Sequence, residues 1–311
     1  MRDLTDALPD ATTRAAYLYH VLELNQAEVA ARLGVSRATV HNLLREARAR
    51  GLVRISLSPT VLSQAAAARD LAAAYGLEMA IILPDADRAD GALRAGAAMI
   101  DDLIPKGATL GVAWGETIYR LAQHVPPGER PDVTVVQMVG SMASPHGFNA
   151  EDCSSLIAQR LGAACVNLHA PAVLTDPAIA EVLRREPVIA RQLETLARCD
   201  AALFPVGLAT RESHIVRSGV TTPEVLDDYL ARGAAAVVAG RFVDTEGAAM
   251  SGPMDGRFIG IEPETLRAIP LRIVIAVGAE RSAAVAAALR GGFATHLIAD
   301  EACIAGMAVG A

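Results

Sequence analysis

The chain has 311 residues, 52% of them hydrophobic and 20% charged, with a formal net charge of −7. A sequence of this length and apolar content is expected to form about two domains with sizeable cores, and it is not a disordered chain. No apolar run approaches the roughly 18 residues that span a bilayer, and Asp3, Asp6 and Asp10 argue against a signal peptide, so a cytoplasmic protein with no membrane contact is expected.

The first readable element is a helix starting after Asn25. Asn caps well because its side-chain oxygen accepts an orphan backbone N–H, and Glu28, three residues on, completes a capping box. Val29, Ala30 and Leu33 mark a buried face, Gly34 supplies the left-handed residue that ends a helix, and Ser36 caps a second one. Val40, Leu43, Leu44 and Ala47 give the second helix an apolar stripe. Its other face is polar and basic. This is the pattern of a helix-turn-helix whose second helix enters the DNA major groove, where Asn reads adenine and Arg reads guanine or holds phosphate. The candidate DNA contacts are Gln26, Ser36, Arg37, Ala38, Thr39, His41, Asn42 and Arg45. Arg48, Arg50 and Arg54 extend the positive charge toward the DNA backbone. A small basic segment in an acidic chain confines polyanion contact to that segment. The bland alternative is a helical hairpin with a solvated Arg face.

From residue 60 short Val- and Ile-rich runs alternate with helical segments. Strands are expected at 79–83, 109–113, 133–139, 164–168, 201–206, 236–239, 272–277 and 295–299. Helices are expected at 61–75, 88–103, 116–124, 150–161, 178–197, 222–231 and 280–290. Such alternation implies a three-layer α/β domain, a mostly parallel sheet covered on both faces. Ligands of these sheets bind beyond the carboxyl ends of the strands, so the strand-to-loop junctions are the candidate sites.

At 111–117 (GVAWGET) a strand runs into Gly115 and Thr117 opens a helix. Free N–H groups beside a hydroxyl suit a phosphate, and an ordinary tight turn would look the same. At 139–149 (VGSMASPHGFN) Gly140 and Ser141 end a strand and Asn149 either meets a ligand or simply caps the next helix. At 240–247 (GRFVDTEG) Asp244 could accept from sugar hydroxyls while Arg241 or Arg257 holds a phosphate, or the group forms a salt-bridged turn. His146, His169, His214 and His296 are isolated and read as structural. Cys153, Cys165, Cys199 and Cys303 lack metal-ligand spacing and read as buried thiols. No metal and no cofactor are expected.

The motifs LNQAEVAARLGVSRATVHNLLREARARGLVRI, LGVAWGETIYRLA, VVQMVGSMA, DAALFPVGLA, GRFVDTEG, RFIGI and AVGAERSAAVAAALRGGFATHLIADEACIAGM, in this order, resemble the SorC family of transcription regulators over nearly the whole chain. The resemblance implies a helix-turn-helix DNA-binding domain at 1–58. At 59–311 it implies a sugar-binding effector domain similar in fold to glucosamine-6-phosphate deaminase and ribose-5-phosphate isomerase. Implied partners are operator DNA, a sugar, polyol or sugar-phosphate effector, and further copies of the chain, commonly as a homotetramer. The family's ligand loop falls on Gly115, Glu116 and Thr117, its post-strand glycine pair on Gly140 and Ser141, and its loop Asn on Asn149. Its strand-end acid falls on Asp244 and its basic residue before the last long helix on Arg281, where lysine is usual. His41-Asn42 replaces the family's Ser-Arg in the recognition helix.

The expected function is therefore a non-enzymatic regulator, a repressor by family habit, of a carbohydrate or polyol catabolic operon. Two other readings are a sugar-phosphate isomerase or deaminase and an interaction module that has lost its effector. The enzyme would need a positioned acid/base pair, and Glu116 has no evident partner motif.

Overall fold

The computed structural model describes residues 8–53, 65–84, 90–143 and 147–307. The chain divides into two compact units between Ser56 and Leu57. That division and the expected one at 58–59 both lie outside the described residues.

The first unit holds α1 (Ala11–His20), α2 (Gln26–Leu33) and α3 (Arg37–Ala49). Asn25 Oδ1 accepts from the backbone N–H of Ala27 and Glu28 at 3.0 and 3.1 Å, and Glu28 returns the bond to the Asn25 N–H at 2.8 Å. Gly34 closes α2 with φ +66°, and Ser36 Oγ caps α3 by accepting from the Thr39 N–H at 3.0 Å. The core joins Ala15 and Leu18 of α1 to Val29, Ala30, Val40 and Leu44. Helix α1, absent from the expected elements, thus supplies the third wall that a two-helix reader needs, and Asp10 caps it through the Thr13 N–H at 2.7 Å.

The second unit begins, among the described residues, with α4 (Ala66–Tyr75), β1 (Met79–Leu83), α5 (Gly91–Ala97), α6 (Ile100–Leu103), β2 (Thr109–Val112) and α7 (Glu116–His124). It continues through β3 (Thr134–Gln137), α8 (Ala150–Leu161), β4 (Ala164–Val166), α9 (Pro177–Arg185), α10 (Pro187–Leu196) and β5 (Ala201–Leu208). Then follow α11 (His214–Arg217), α12 (Pro223–Ala231), β6 (Ala234–Val238), β7 (Arg241–Asp244), α13 (Pro263–Ala268), β8 (Leu271–Ala276), α14 (Ser282–Arg290), β9 (His296–Asp300) and α15 (Glu301–Ala305).

Seven strands pair in the order β1-β9-β8-β5-β2-β3-β4, all parallel, and β6 and β7 extend β5 as an antiparallel ribbon. Side chains alternate faces along a strand, so each strand feeds two cores. Leu203, Ile273 and Ile275 pack with α5, α7 and α8 on one face, while Phe204, Val274 and Ala276 pack with α4, α12 and α14 on the other. The expected three layers are present.

Three details differ from expectation. The segment expected as one helix at 88–103 is two helices, its described part weakened by Gly91 and Gly96. The helix expected at 178–197 breaks at Pro187, whose ring and missing N–H stop α9 and seed α10. Strand β7 and the short helices α11, α13 and α15 are additional.

Chain direction decides where a ligand can sit. From β2 the sheet grows through β3 to β4; the chain then returns to β5 on the other side of β2 and grows the opposite way. In parallel sheets the crevice at such a reversal, beyond the carboxyl ends, is the binding place. Here it lies where β2 and β5 end.

Candidate effector cavity and DNA-reading helix

A cavity of about 260 Å³ occupies that reversal point. Trp114, Gly115, Glu116 and Thr117 line it after β2, and Pro205 to Leu208 line it from the end of β5. Thr210, Glu212, Ser213, His214, Ile215 and Arg217 follow in the same wall, and Val237, Ala239, Gly240 and Arg281 complete it.

The backbone around it is under tight constraint. Gly115 has φ +144°, and a Cβ there would lie 3.0 Å from Pro205 Cγ. That conformation aims the first turn of α7 into the cavity, and among the described residues no side chain caps this helix, so its leading N–H groups suit an anion. Ala239 (φ +46°) and Gly240 (φ +85°) form the two-residue turn between β6 and β7. Both central residues have positive φ, as the twist of a tight hairpin requires, and a non-glycine held there is strained.

The charges in the wall are of two kinds. Arg281 Nη1 donates to the Val206 carbonyl at 3.2 Å, its Nε lies 3.7 Å from Glu280 Oε1, and that Nε makes no hydrogen bond among the described residues. Arg217 is exposed at the cavity. Against these stand Glu116 and Glu212. Glu116 Oε2 lies 3.3 Å from His214 Nε2, and Glu116 Oε1 lies 3.7 Å from Arg120. Behind Gly115, the thiol of Cys153 points at the Gly115 carbonyl from 3.9 Å, and burial pushes it up to about 12. It stays a neutral thiol.

The sequence expectations divide here. Gly115, Glu116, Thr117 and Arg281 line the cavity; Gly140, Ser141, Asn149 and Asp244 do not. Gly140 lets the chain pass Ala170, since a Cβ would fall 2.6 Å from that carbonyl oxygen. Ser141 Oγ donates to Glu151 Oε1. Asn149 caps α8 in a capping box with Asp152, at 2.8 and 2.9 Å. Asp244 Oδ1 accepts from the N–H groups of Glu246 and Ala248 at 3.0 and 2.9 Å, which closes the turn after β7. Arg241 is spent on Asp255 at 2.6 Å and Glu262 at 2.5 Å, over the Phe258 ring, and Arg257 Nε donates to the Pro253 carbonyl at 2.9 Å. Arg241 is thus ion-paired to residues beyond the turn, while Asp244 closes the turn through backbone N–H groups. Missed from sequence were Trp114 and the whole stretch from Pro205 to Arg217. Tertiary pairing alone brings that stretch to β2, and only the post-strand glycine in FPVGLA hinted at it. His146 lies outside the described residues.

On the DNA-reading side, Ser36 is exposed at the cap of α3, Arg37, Ala38, Thr39, His41, Asn42 and Arg45 are exposed on the helix itself, and Gln26 is half-buried at the start of α2. Arg45 reaches Asn42 only at 3.5 Å, so both polar heads remain available. Arg50 does not extend the free basic face: it pairs with Asp10 at 2.8 Å and Glu46 at 3.5 Å. Thr13 and Arg50 together hold the Asp10 carboxyl down at about 2. Arg54 lies outside the described residues.

Residues 60–307 match the family model described as "Putative sugar-binding domain", and residues 15–61 match that of the MarR family. The chain belongs to the SorC family of transcriptional regulators. It is 38% identical to an uncharacterized transcriptional regulator, YjhU, of Escherichia coli strain K12, over 94% of this chain and 92% of that one. It is 29% identical to the deoxyribonucleoside regulator of Bacillus subtilis strain 168, over 92% and 93%. The crystal structure of full-length SorC, the sorbitol operon regulator of Klebsiella pneumoniae, superimposes with a TM-score of 0.77 at 25% identity, covering 93% of this chain and 95% of that one. The family is one of regulators, not enzymes, and no helix among the described residues is long and apolar enough to cross a membrane.

Proposed function

We propose that this regulator represses a carbohydrate or polyol catabolic operon in the cytoplasm and is controlled by a small phosphorylated sugar or polyol. The observation that carries the reading is the cavity at the β2–β5 reversal. There the open amino end of α7, Arg281 and Arg217 supply positive charge beside the polar groups of Thr117, Thr210 and Ser213. Gly115, Glu116, Thr117 and Arg281 would touch the effector. Gly140, Ser141, Asn149 and Asp244 would shape the loops without touching it. Arg37, Thr39, His41, Asn42 and Arg45 would read operator bases and phosphates from α3, with Gln26, Ser36 and Ala38 at its entry. Homo-oligomers, dimers or tetramers, would set two such helices on a palindromic operator.

A thermal-shift screen of the full chain against sugars, polyols and their phosphates tests the sensor, because a ligand that binds only the folded state must raise the midpoint. The hit is then titrated into an operator-binding assay, where a coupling on the order of 1–3 kcal/mol is expected. Midpoints unchanged by every compound would favour a module that has lost its effector.

A further inference from the structure

We propose that His214 is a specificity-determining residue of the effector cavity, which reads effector hydroxyls jointly with Glu116; this rests on the cavity reading given above. The anion-holding groups, Arg281, Arg217 and the amino end of α7, attract any phosphate alike and say nothing about the carbon skeleton attached to it. A second set of groups must make that distinction. Of the polar groups in the described cavity wall, His214 and Glu116 stand together as a facing donor and acceptor.

His214 opens α11 and Glu116 opens α7, 98 positions apart in sequence, yet His214 Nε2 and Glu116 Oε2 stand 3.3 Å apart at the cavity. That is longer than the about 2.7–2.9 Å of a tight charge-assisted bond. A hydroxyl approaching from the cavity can meet both atoms, accepting from the imidazole N–H and donating to the carboxylate, so the pair offers one donor and one acceptor side by side. The imidazole is held for this task by rings on two sides. It meets Trp114 edge-on at 6.2 Å and 73°, and Phe148 at 5.8 Å, and Phe148 in turn stacks on Tyr119 at 4.8 Å and 10°. These neighbours restrict how far the imidazole turns to follow a misplaced hydroxyl. Epimers and deoxy analogues then lack the hydroxyl that meets both members of the pair, and a site built to hydrogen-bond a substrate hydroxyl discriminates against the analogue without it.

Trp114 is the chain's single tryptophan and lines the cavity beside His214, so its emission reports on this site. The test titrates the full-length protein, His214→Ala and His214→Gln with two kinds of probe: inorganic phosphate, and a panel of pentitol, hexitol, pentose and hexose phosphates. Affinity is read from Trp114 emission and independently by calorimetry. Wild type is expected to favour at least one organic phosphate over inorganic phosphate by more than about ten-fold. His214→Ala should reduce that preference by about ten- to hundred-fold while leaving inorganic phosphate binding as it was, and His214→Gln, which keeps a donor, should recover part of it. Retention of the preference by His214→Ala overturns the proposal. So does an equal loss for inorganic phosphate, which marks a merely structural ring. If wild type itself prefers no organic phosphate, the effector reading of the cavity fails, and this inference falls with it.

Discussion

At the scale of single residues, Gly115 carries a constraint that bears directly on the cavity. Its φ of +144° is hostile to any side chain, and Pro205 blocks the space a Cβ would fill. Gly115→Ala is therefore expected to cost about 1–3 kcal/mol and to abolish the effector's thermal shift, because the amino end of α7 would turn away. A thermal melt with and without ligand checks both. Thiol chemistry is equally local. Burial pushes Cys153, Cys199 and Cys303 up to about 12, and it raises Cys165 too, but Cys165 alone of the four is exposed. A thiol reagent should label Cys165 first in the native protein, and mass spectrometry of the labelled peptides would contradict the structure if any of the other three led.

At the scale of elements, α3 separates two effects that are easily confused. Arg37→Ala and Asn42→Ala remove exposed side chains, so operator affinity should fall while the melting midpoint and effector binding stay put; for Arg37→Ala the salt dependence of binding should also drop by about one unit of slope if Arg37 holds a phosphate. Leu18→Ala, fully buried in α1, should cost about 2–5 kcal/mol and weaken operator binding only through loss of the fold. Equal midpoint losses for Arg37→Ala and Leu18→Ala would refute this division. The same elements show what a sequence can tell. Helices α7 and α8 were legible to the residue because stop and start chemistry sits within four positions: Gly115 before one, Asn149 with Asp152 before the other. Hairpin β6–β7 was not, because its turn is Ala239-Gly240, which lacks the Asn-Gly or Asp-Gly pair that announces a two-residue turn. Half of the expected ligand set lines the cavity because a junction after a parallel strand points there by topology. The other half, Asn149 and Asp244 among it, is accounted for by local caps and turns, where polar residues have a use independent of any ligand. His214 had no local signature at all: its role comes from a partner 98 residues away.

For the whole molecule, two histidines set an acid limit on stability. Burial, aided by Arg94, holds His124 below its ordinary 6.5, and burial does the same to His296. Each ring therefore takes up a proton more readily once unfolded, so protons favour the unfolded state. Stability should be at its full value above about pH 6.5 and decline as the pH falls below it, well before the low-lying carboxylates of Asp10 and Asp132, both at about 2, begin to matter. Melting midpoints between pH 5 and 8 test the sign, and His296→Gln should flatten the slope; a midpoint that rises on acidification would contradict it. The placement of Arg281 has a different kind of consequence, one of timing. The described cavity wall contains no lysine, and the chain's single one, Lys106, precedes β2 at its opposite end. A guanidinium does not condense with an aldehyde as a primary amine does. Even an aldose caught in its open form is thus held only by reversible contacts, with no imine to hydrolyse before it leaves. For a regulator working as proposed above, the memory of a bound metabolite would then last no longer than one dissociation event, and the response would end as promptly as the sugar is consumed.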